Sequence, residues 1–468
     1  MSAPSPEMSV AQDPLGAGNA GRPVIEELSE YVARAVLTEL PGPVVDQTVL
    51  HILDTIAAAV SGTRLEAGGH ARAYVERCGA SPGCTVFGTP LRTSAPLAAL
   101  ANGMAAHADE TDDSHAPSRT HPGCAVVPAA FSMAESRGRS GMELIRAVAL
   151  GYDICGRVPP ALWPEWIDRG DLRVHSTHAF GGLFGAASAA GGLAGLDARQ
   201  CRYLFSYAAQ QASGIRTYFR ERHHVEKAFV FGGMPAMNGA TVANMVEAGW
   251  TGVEDVFSGE PSLFSLGERP NPSVLTDELG RRFEILGTKF KKYAVGSPIQ
   301  SPLEGLLSIL QEQHLASESV RRVLVRIPTE RWRTVHARPM SDLNIDYLLE
   351  AALDDGAFTF QAAHDEGRFE AWRARERDGR VEVAADESMH GHTAHVEVET
   401  STGAVFRRFV PAIPGSLENP MSRSDVENKA RDLMEPVIGV QRSAGLISDV
   451  QRLPQADSLR DVVRWLHG

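Results

Sequence analysis

The sequence predicts a mainly α protein, a large all-helical domain with a smaller α+β lid domain inserted into it. Three observations carry this. Before residue 280, apolar residues recur at helical spacing and no stretch alternates convincingly. Strand-like runs crowd between residues 320 and 410, and helical patterning returns after Pro420. At 468 residues the chain exceeds one small core. It divides into helical residues 23–286, a lid of 287–410, and helical residues 411–468 that rejoin the first part. Residues 1–22, rich in Ser, Ala, Pro and Gly, read as a disordered tail without the apolar middle of a signal peptide.

Taken in order, Val45, Val49, Ile52, Ile56 and Val60 mark one helix stripe, stopped at Gly62. APLAALANGMAA (95–106) is small and apolar enough for a buried helix. Ser140-Gly-Met-Glu143 has capping-box form ahead of LIRAVALGYDICGRV. AFGGLFGAASAAGGLAGLD is apolar on every face, the mark of a helix buried all round. SPIQSPLEGLLSILQEQ reads as a helix, VRRVLVRI (320–327) and RVEVAAD (380–386) as strands. AHVEVETSTGAVFRRFV (394–410) reads as a hairpin turning at Ser-Thr-Gly. SRSDVENKARDLMEPV and SLRDVVRWLHG close the chain as helices.

A hydrophobic content of 43% with 22% charged residues is ordinary for a globular protein. The net charge of −13 argues against nucleic acid or an anionic membrane as partner. No uninterrupted apolar run of about 18 residues occurs, so no spanning helix is expected. The five cysteines are scattered without a C-x-x-C pair. That excludes a zinc ribbon and fits reduced thiols in a cytoplasmic protein.

Chemistry concentrates in a few segments. NGMAAHADETDDSHAPSRTHPG (102–123) packs His107, Asp109, Glu110, Asp112, Asp113, Ser114, His115 and His121 where a core helix runs out into a loop. Such a set is costly there unless solvated, paired or used. His175-Ser-Thr177-His178 precedes the small-residue helix, where free N–H groups favour an anion; the hydroxyls serve equally well as simple caps. RTYFRERHHVEK (216–227) carries a cationic surplus suited to a carboxylate ligand, with Arg220, His224 and Lys227 its candidates. Lys227 stands where the loop re-enters apolar sequence. FKKY (290–293) lies at the domain boundary, where by its residues alone it reads as a basic linker, and Arg338 to Tyr347 reads as a polar loop capping LLEAALDDG. No P-loop, G-x-G-x-x-G after a strand, G-x-S-x-G or H-E-x-x-H is present. A metal-dependent hydrolase built on the His/Asp cluster stays open, although its spacing fits no standard ligand pattern.

These segments, in this order, resemble the MmgE/PrpD family, which includes 2-methylcitrate dehydratase, cis-aconitate decarboxylase and iminodisuccinate epimerase. The markers are NGMAAHADETDDSH with THPG, GYDICGRV, HST before a small-residue helix, Lys227 with Gly232, FKKY, and RP…Y…ALDDG. The resemblance implies a homodimer with its active site between the helical and lid domains, and cofactor-independent chemistry on di- or tricarboxylates. It implies His121 as the leading acid/base with His175 as its partner. Glu110 would orient His121, and Lys227 and Lys291 would bind carboxylates. Ser114, Thr177, Tyr347, Arg220 and His224 complete the expected substrate contacts, and no metal is expected. Dehydration of a 2-methylcitrate-like hydroxy acid is the leading expectation. Decarboxylation or epimerisation of a related acid is the alternative, and a non-catalytic carboxylate binder a further one. Gly296 and Gln300 stand where decarboxylases carry His; Val230 and His178 also depart from the pattern.

Overall fold

The computed structural model describes residues 21–79, 83–165, 174–375 and 379–467. The expected tail therefore lies outside the described residues, except that Arg22 is exposed and pairs with Glu26 and Glu30 on the first helix. The chain is mainly α. Its N-terminal part comprises α1 (Val24–Ala35), α2 (Gly42–Gly62), α3 (Glu66–Cys78), α4 (Ala95–Ala106), α5 (Pro122–Arg137), α6 (Gly141–Leu162), α7 (Thr177–Ala194), α8 (Ala198–Gln211) and α9 (Met234–Glu247). Among the described residues the strand pairing there is two residues long on each side, Cys84–Thr85 against Arg92–Thr93.

Local sequence explains the ends. Ser140 accepts from the Glu143 N–H while Glu143 reaches back, the expected capping box of α6. Asp197 and Gln200 do the same for α8. α7 is buried along almost its whole length, because glycines let neighbours approach: a Cβ on Gly185 would lie 2.5 Å from the Gly151 carbonyl of α6. α2 is long and apolar enough to cross a membrane, yet 83% of its most apolar window is buried inside the protein, which makes it a core helix.

After Lys227 the helix widens into a π turn, Phe229–Gly233, before α9. Gly232 and Gly103 of α4 meet there backbone to backbone; a Cβ on Gly232 would lie 2.1 Å from the Gly103 carbonyl oxygen. Gly232→Ala is therefore expected to cost about 1–3 kcal/mol, read as a lowered denaturant midpoint, whereas Gly69→Ala, whose Cβ meets nothing within 4 Å, should not destabilise.

α10 (Ser297–Glu312) opens the C-terminal part, with α11 (Ile345–Asp355) and a four-stranded sheet. The strands are β1 (Val320–Pro328), β2 (Val381–Asp386), β3 (Ala394–Thr400) and β4 (Val405–Val410), in the order β2-β1-β3-β4. β1 runs parallel to β2, with Val323 opposite Val381, and antiparallel to β3, with Val325 opposite Val396. The β3–β4 hairpin turns at Ser401-Thr402-Gly403. α12 (Arg423–Ile438), α13 (Val440–Gln451) and α14 (Arg460–Leu466) follow. One apolar core gathers residues from Ile25 to Phe290 together with Val426 to Leu466. A second gathers Val295 to Val398. The boundary between them falls at Lys291.

Candidate functional site

α4 ends at His107, and the chain loops through Thr120 to His121, which precedes the first turn of α5. Asp112, fully buried, is the hub of this loop: its Oδ1 accepts from His107 Nδ1 and from His121 Nδ1, each at 3.0 Å. Burial alone would raise the Asp112 carboxyl, but the two imidazoles outweigh it and hold it well below the ordinary carboxylate range. Burial, with the nearby Lys291 charge, lowers His121, so the ring is neutral at pH 7. Nδ1–H committed to Asp112 leaves Nε2 as the basic nitrogen.

Lys227 and Lys291 converge on Glu110. Lys291 Nζ lies 3.0 Å from Glu110 Oε2 and 3.7 Å from Asp112 Oδ1, and Lys227 touches Glu110 Oε1. Burial, reinforced by the charges of Lys291 and Arg338, pulls the Lys227 ammonium down to about 7, against Asp342 and Asp109. Burial also lowers Lys291. Phe231, carried by the π turn, is sandwiched: His178 stacks on it at 3.7 Å and His107 at 4.4 Å. His178 also faces His121, ring centroids 5.1 Å apart, and is driven well below its ordinary value by burial and by the neighbouring His121 and His107.

A second layer supports the first. Asp113 accepts from Tyr152 Oη at 2.6 Å and from the Gly123 N–H at 3.0 Å, and pairs with His51 Nδ1 at 2.8 Å. Lys429 of α12 pairs with Asp54 at 2.7 Å and donates to the Thr111 carbonyl at 2.8 Å. The loop bearing Glu110 and Asp112 is thus pinned from behind by a buried cation.

Two reciprocal pairs join the parts of the chain with separate cores. His224 Nδ1 meets Asp342 Oδ2 at 3.2 Å, and His364 Nε2 meets Asp109 Oδ2 at 3.2 Å. Burial works to lower both imidazoles; Asp342 and Asp109 respectively outweigh it and raise them. Their contribution to stability is full below the unfolded value of about 6.5 and is lost as pH rises through the raised folded values. Thermal stability should therefore fall as pH rises above about 6.5. Asp342→Asn should flatten that dependence while costing about 3–5 kcal/mol at pH 6; melting curves across pH check both.

Not every expected residue arrives here. His175 stacks on Trp163 at 5.8 Å and lies edge-on against Phe180; His178, three residues on, is the imidazole that faces His121. Thr177 donates to the Arg119 carbonyl at 2.7 Å, so its hydroxyl anchors the loop. Tyr347 is buried in the second core, its hydroxyl donating to the Ala362 carbonyl at 2.8 Å. Arg220 is exposed. Ser114 sits at the rim, its hydroxyl 3.3 Å from Ser297 Oγ and its backbone paired with Lys289.

Two of the departures, Gly296 and Gln300, have physical accounts. A side chain at Gly296 would strike Leu343 Cδ2, 2.5 Å from an ideal Cβ. Gln300 is wholly committed to the backbone beside Lys291, accepting from Lys292 and Tyr293 N–H and donating to the Tyr293 and Val295 carbonyls. His107 and Asp112 were read only as members of the 102–123 cluster, with no role of their own, and Phe231 was not singled out from sequence. His107 and His121 close the two ends of the loop, but nothing in the sequence marks which of the carboxylates between them they share.

Two donor sets come within metal-binding reach of one another: His107, Glu110 and His224, and His107, Asp112 and Cys124. Neither suits a divalent cation. Glu110 already serves two lysines. In the second set His107 Nδ1 and Asp112 Oδ1 are already bonded to each other at 3.0 Å.

The chain is 25% identical over 475 residues to a human cis-aconitate decarboxylase, with 95% of each chain covered. It is 24% identical to a cis-aconitate decarboxylase-like protein of Aspergillus oryzae, covering 95% of this chain and 97% of the relative. It is 24% identical to a cis-aconitate decarboxylase of Aspergillus terreus, covering 94% and 93%. Residues 26–268 match the MmgE/PrpD N-terminal domain and residues 293–453 the MmgE/PrpD C-terminal domain. With matches to both domains in order over most of its length, the chain belongs to the MmgE/PrpD family.

Proposed function

We propose that this protein is a cofactor-independent lyase acting on a di- or tricarboxylate, with dehydration of a 2-methylcitrate-like hydroxy acid as its reaction. The observation that carries this is one buried site holding a neutral imidazole with a free basic nitrogen, His121, beside an ammonium near neutrality, Lys227. Groups whose environments set them to opposite tasks at one pH are the parts an elimination needs. His121 Nε2 takes the proton from the carbon next to a carboxylate. The C–H electron pair becomes the double bond, the C–O bond breaks, and Lys227 passes a proton to the departing hydroxyl, which leaves as water. Lys291 holds a substrate carboxylate as a compact point charge, and Asp112 fixes the His121 ring. The substrate must displace Glu110 from at least one lysine as it enters.

Decarboxylation is the second reading, favoured by the names of the similar proteins. It needs the same lysine or imidazole only to protonate the carbanion left by CO2. Headspace CO2 measured alongside proton NMR of citrate, 2-methylcitrate and cis-aconitate separates the two. Loss of water from a hydroxy acid without CO2 supports dehydration; CO2 from cis-aconitate overturns it. We further propose a cytoplasmic homodimer; sedimentation velocity tests the assembly, and a monomer across micromolar concentrations overturns it.

A further inference from the structure

His178 faces the reacting end of the site with no polar partner of its own. Its ring stacks on Phe231 at 3.7 Å, the planes 15° apart, and lies 5.1 Å from the His121 ring, centroid to centroid. The Lys227 ammonium reaches the same Phe231 ring, Nζ 5.1 Å from its centroid. His178 thus shares an aromatic platform with the proton donor of the proposed reaction and faces its base.

The polar groups around it are engaged. His107 and His121 share Asp112, and Glu110 holds Lys227 and Lys291. Among the described residues His178 makes no hydrogen bond and no ion pair, and its Nδ1 is shut from solvent. Nε2 is the nitrogen left open. Stacking does not explain an imidazole here: a phenyl ring would cover Phe231 as well and orphan no polar atom.

The charge state narrows what the open nitrogen can hold. Burial, with His121, His107 and Arg216, drives the ring well below its ordinary value, so it is neutral at pH 7. It brings one N–H and one lone pair. Substrate carboxylates already meet two lysines, and they can only accept. A hydroxyl both gives and accepts, so it pairs with Nε2 in either tautomer.

We propose that His178 is the contact for the substrate's hydroxyl, so that the site selects hydroxy acids over acids with the same carboxylates and no hydroxyl. This rests on the polycarboxylate reading above and on its dehydration branch. His178 exchanges no proton in the step: it holds the oxygen while the C–O bond breaks, and Lys227 supplies the proton with which water leaves.

The test is calorimetric titration of the full-length protein with citrate and with propane-1,2,3-tricarboxylate, which differ by that hydroxyl alone. Citrate is checked by proton NMR after each titration, and if it has reacted the titration is repeated on His121→Ala. Wild type is expected to bind citrate about tenfold more tightly. His178→Phe, which keeps a ring on Phe231, should abolish the preference by weakening citrate, with the other acid little changed. His178→Gln, which again offers a donor and an acceptor, should regain part of it. Equal weakening of both acids in His178→Phe, or none, overturns the hydroxyl contact. Wild type binding both acids equally also overturns it while sparing the polycarboxylate reading; wild type binding neither overturns both.

Discussion

His121→Ala is expected to lower kcat by roughly 10²–10⁴-fold on whichever acid the enzyme turns over, with the melting temperature nearly unchanged. The imidazole is the one ring in the site with Nδ1 fixed by Asp112 and with partial exposure to whatever enters. Asp112→Asn should act through the same ring. The amide can present a donor where the histidine needs an acceptor, so His121 turns or changes tautomer. The variant should lose kcat while retaining KM, since Asp112 itself is shut away from substrate. A His121→Ala variant with near-normal kcat removes His121 from the mechanism.

The second large effect concerns pH. Lys227 acts as an ammonium, and its value is about 7. Turnover should therefore be full on the acid side of 7 and fall about tenfold per unit above it. His121 must be neutral to accept a proton, and burial lowers it, so the acid limb should lie below the ordinary imidazole value of about 6.5. Lys227→Arg keeps the charge but cannot release a proton in this range, so turnover should be nearly lost at every pH. A kcat profile flat from pH 7 to 9 in the unaltered enzyme contradicts the assignment of Lys227 as proton donor.

Much of this was legible in the sequence because helix periodicity and strand alternation are local signals. The hairpin at Ser-Thr-Gly, the Ser140 capping box and the all-round apolar α7 follow from residues within a few positions of each other. The cluster at 107–121 and Lys227 were legible as polar residues beside apolar sequence, whereas Lys291, in a segment that reads as a basic linker, was marked only by the family resemblance. What escaped was pairing at long range. Nothing near Asp112 distinguishes it from Asp113, yet one holds the catalytic-side imidazoles and the other holds Tyr152 and His51. His175 and His178 differ by one helical turn, and only the direction of α7 against Phe231 decides which faces His121. Tyr347 was expected as a substrate contact from the family resemblance, but α11 turns its ring into the second core.

The most direct test of the central claim is proton NMR in D2O of chelator-treated protein with 2-methylcitrate. Appearance of the unsaturated product's signals, at a rate unchanged by chelation and lost in His121→Ala, is the predicted result. No reaction after chelation, with turnover restored by an added divalent metal, would contradict the account of a cofactor-independent acid-base site.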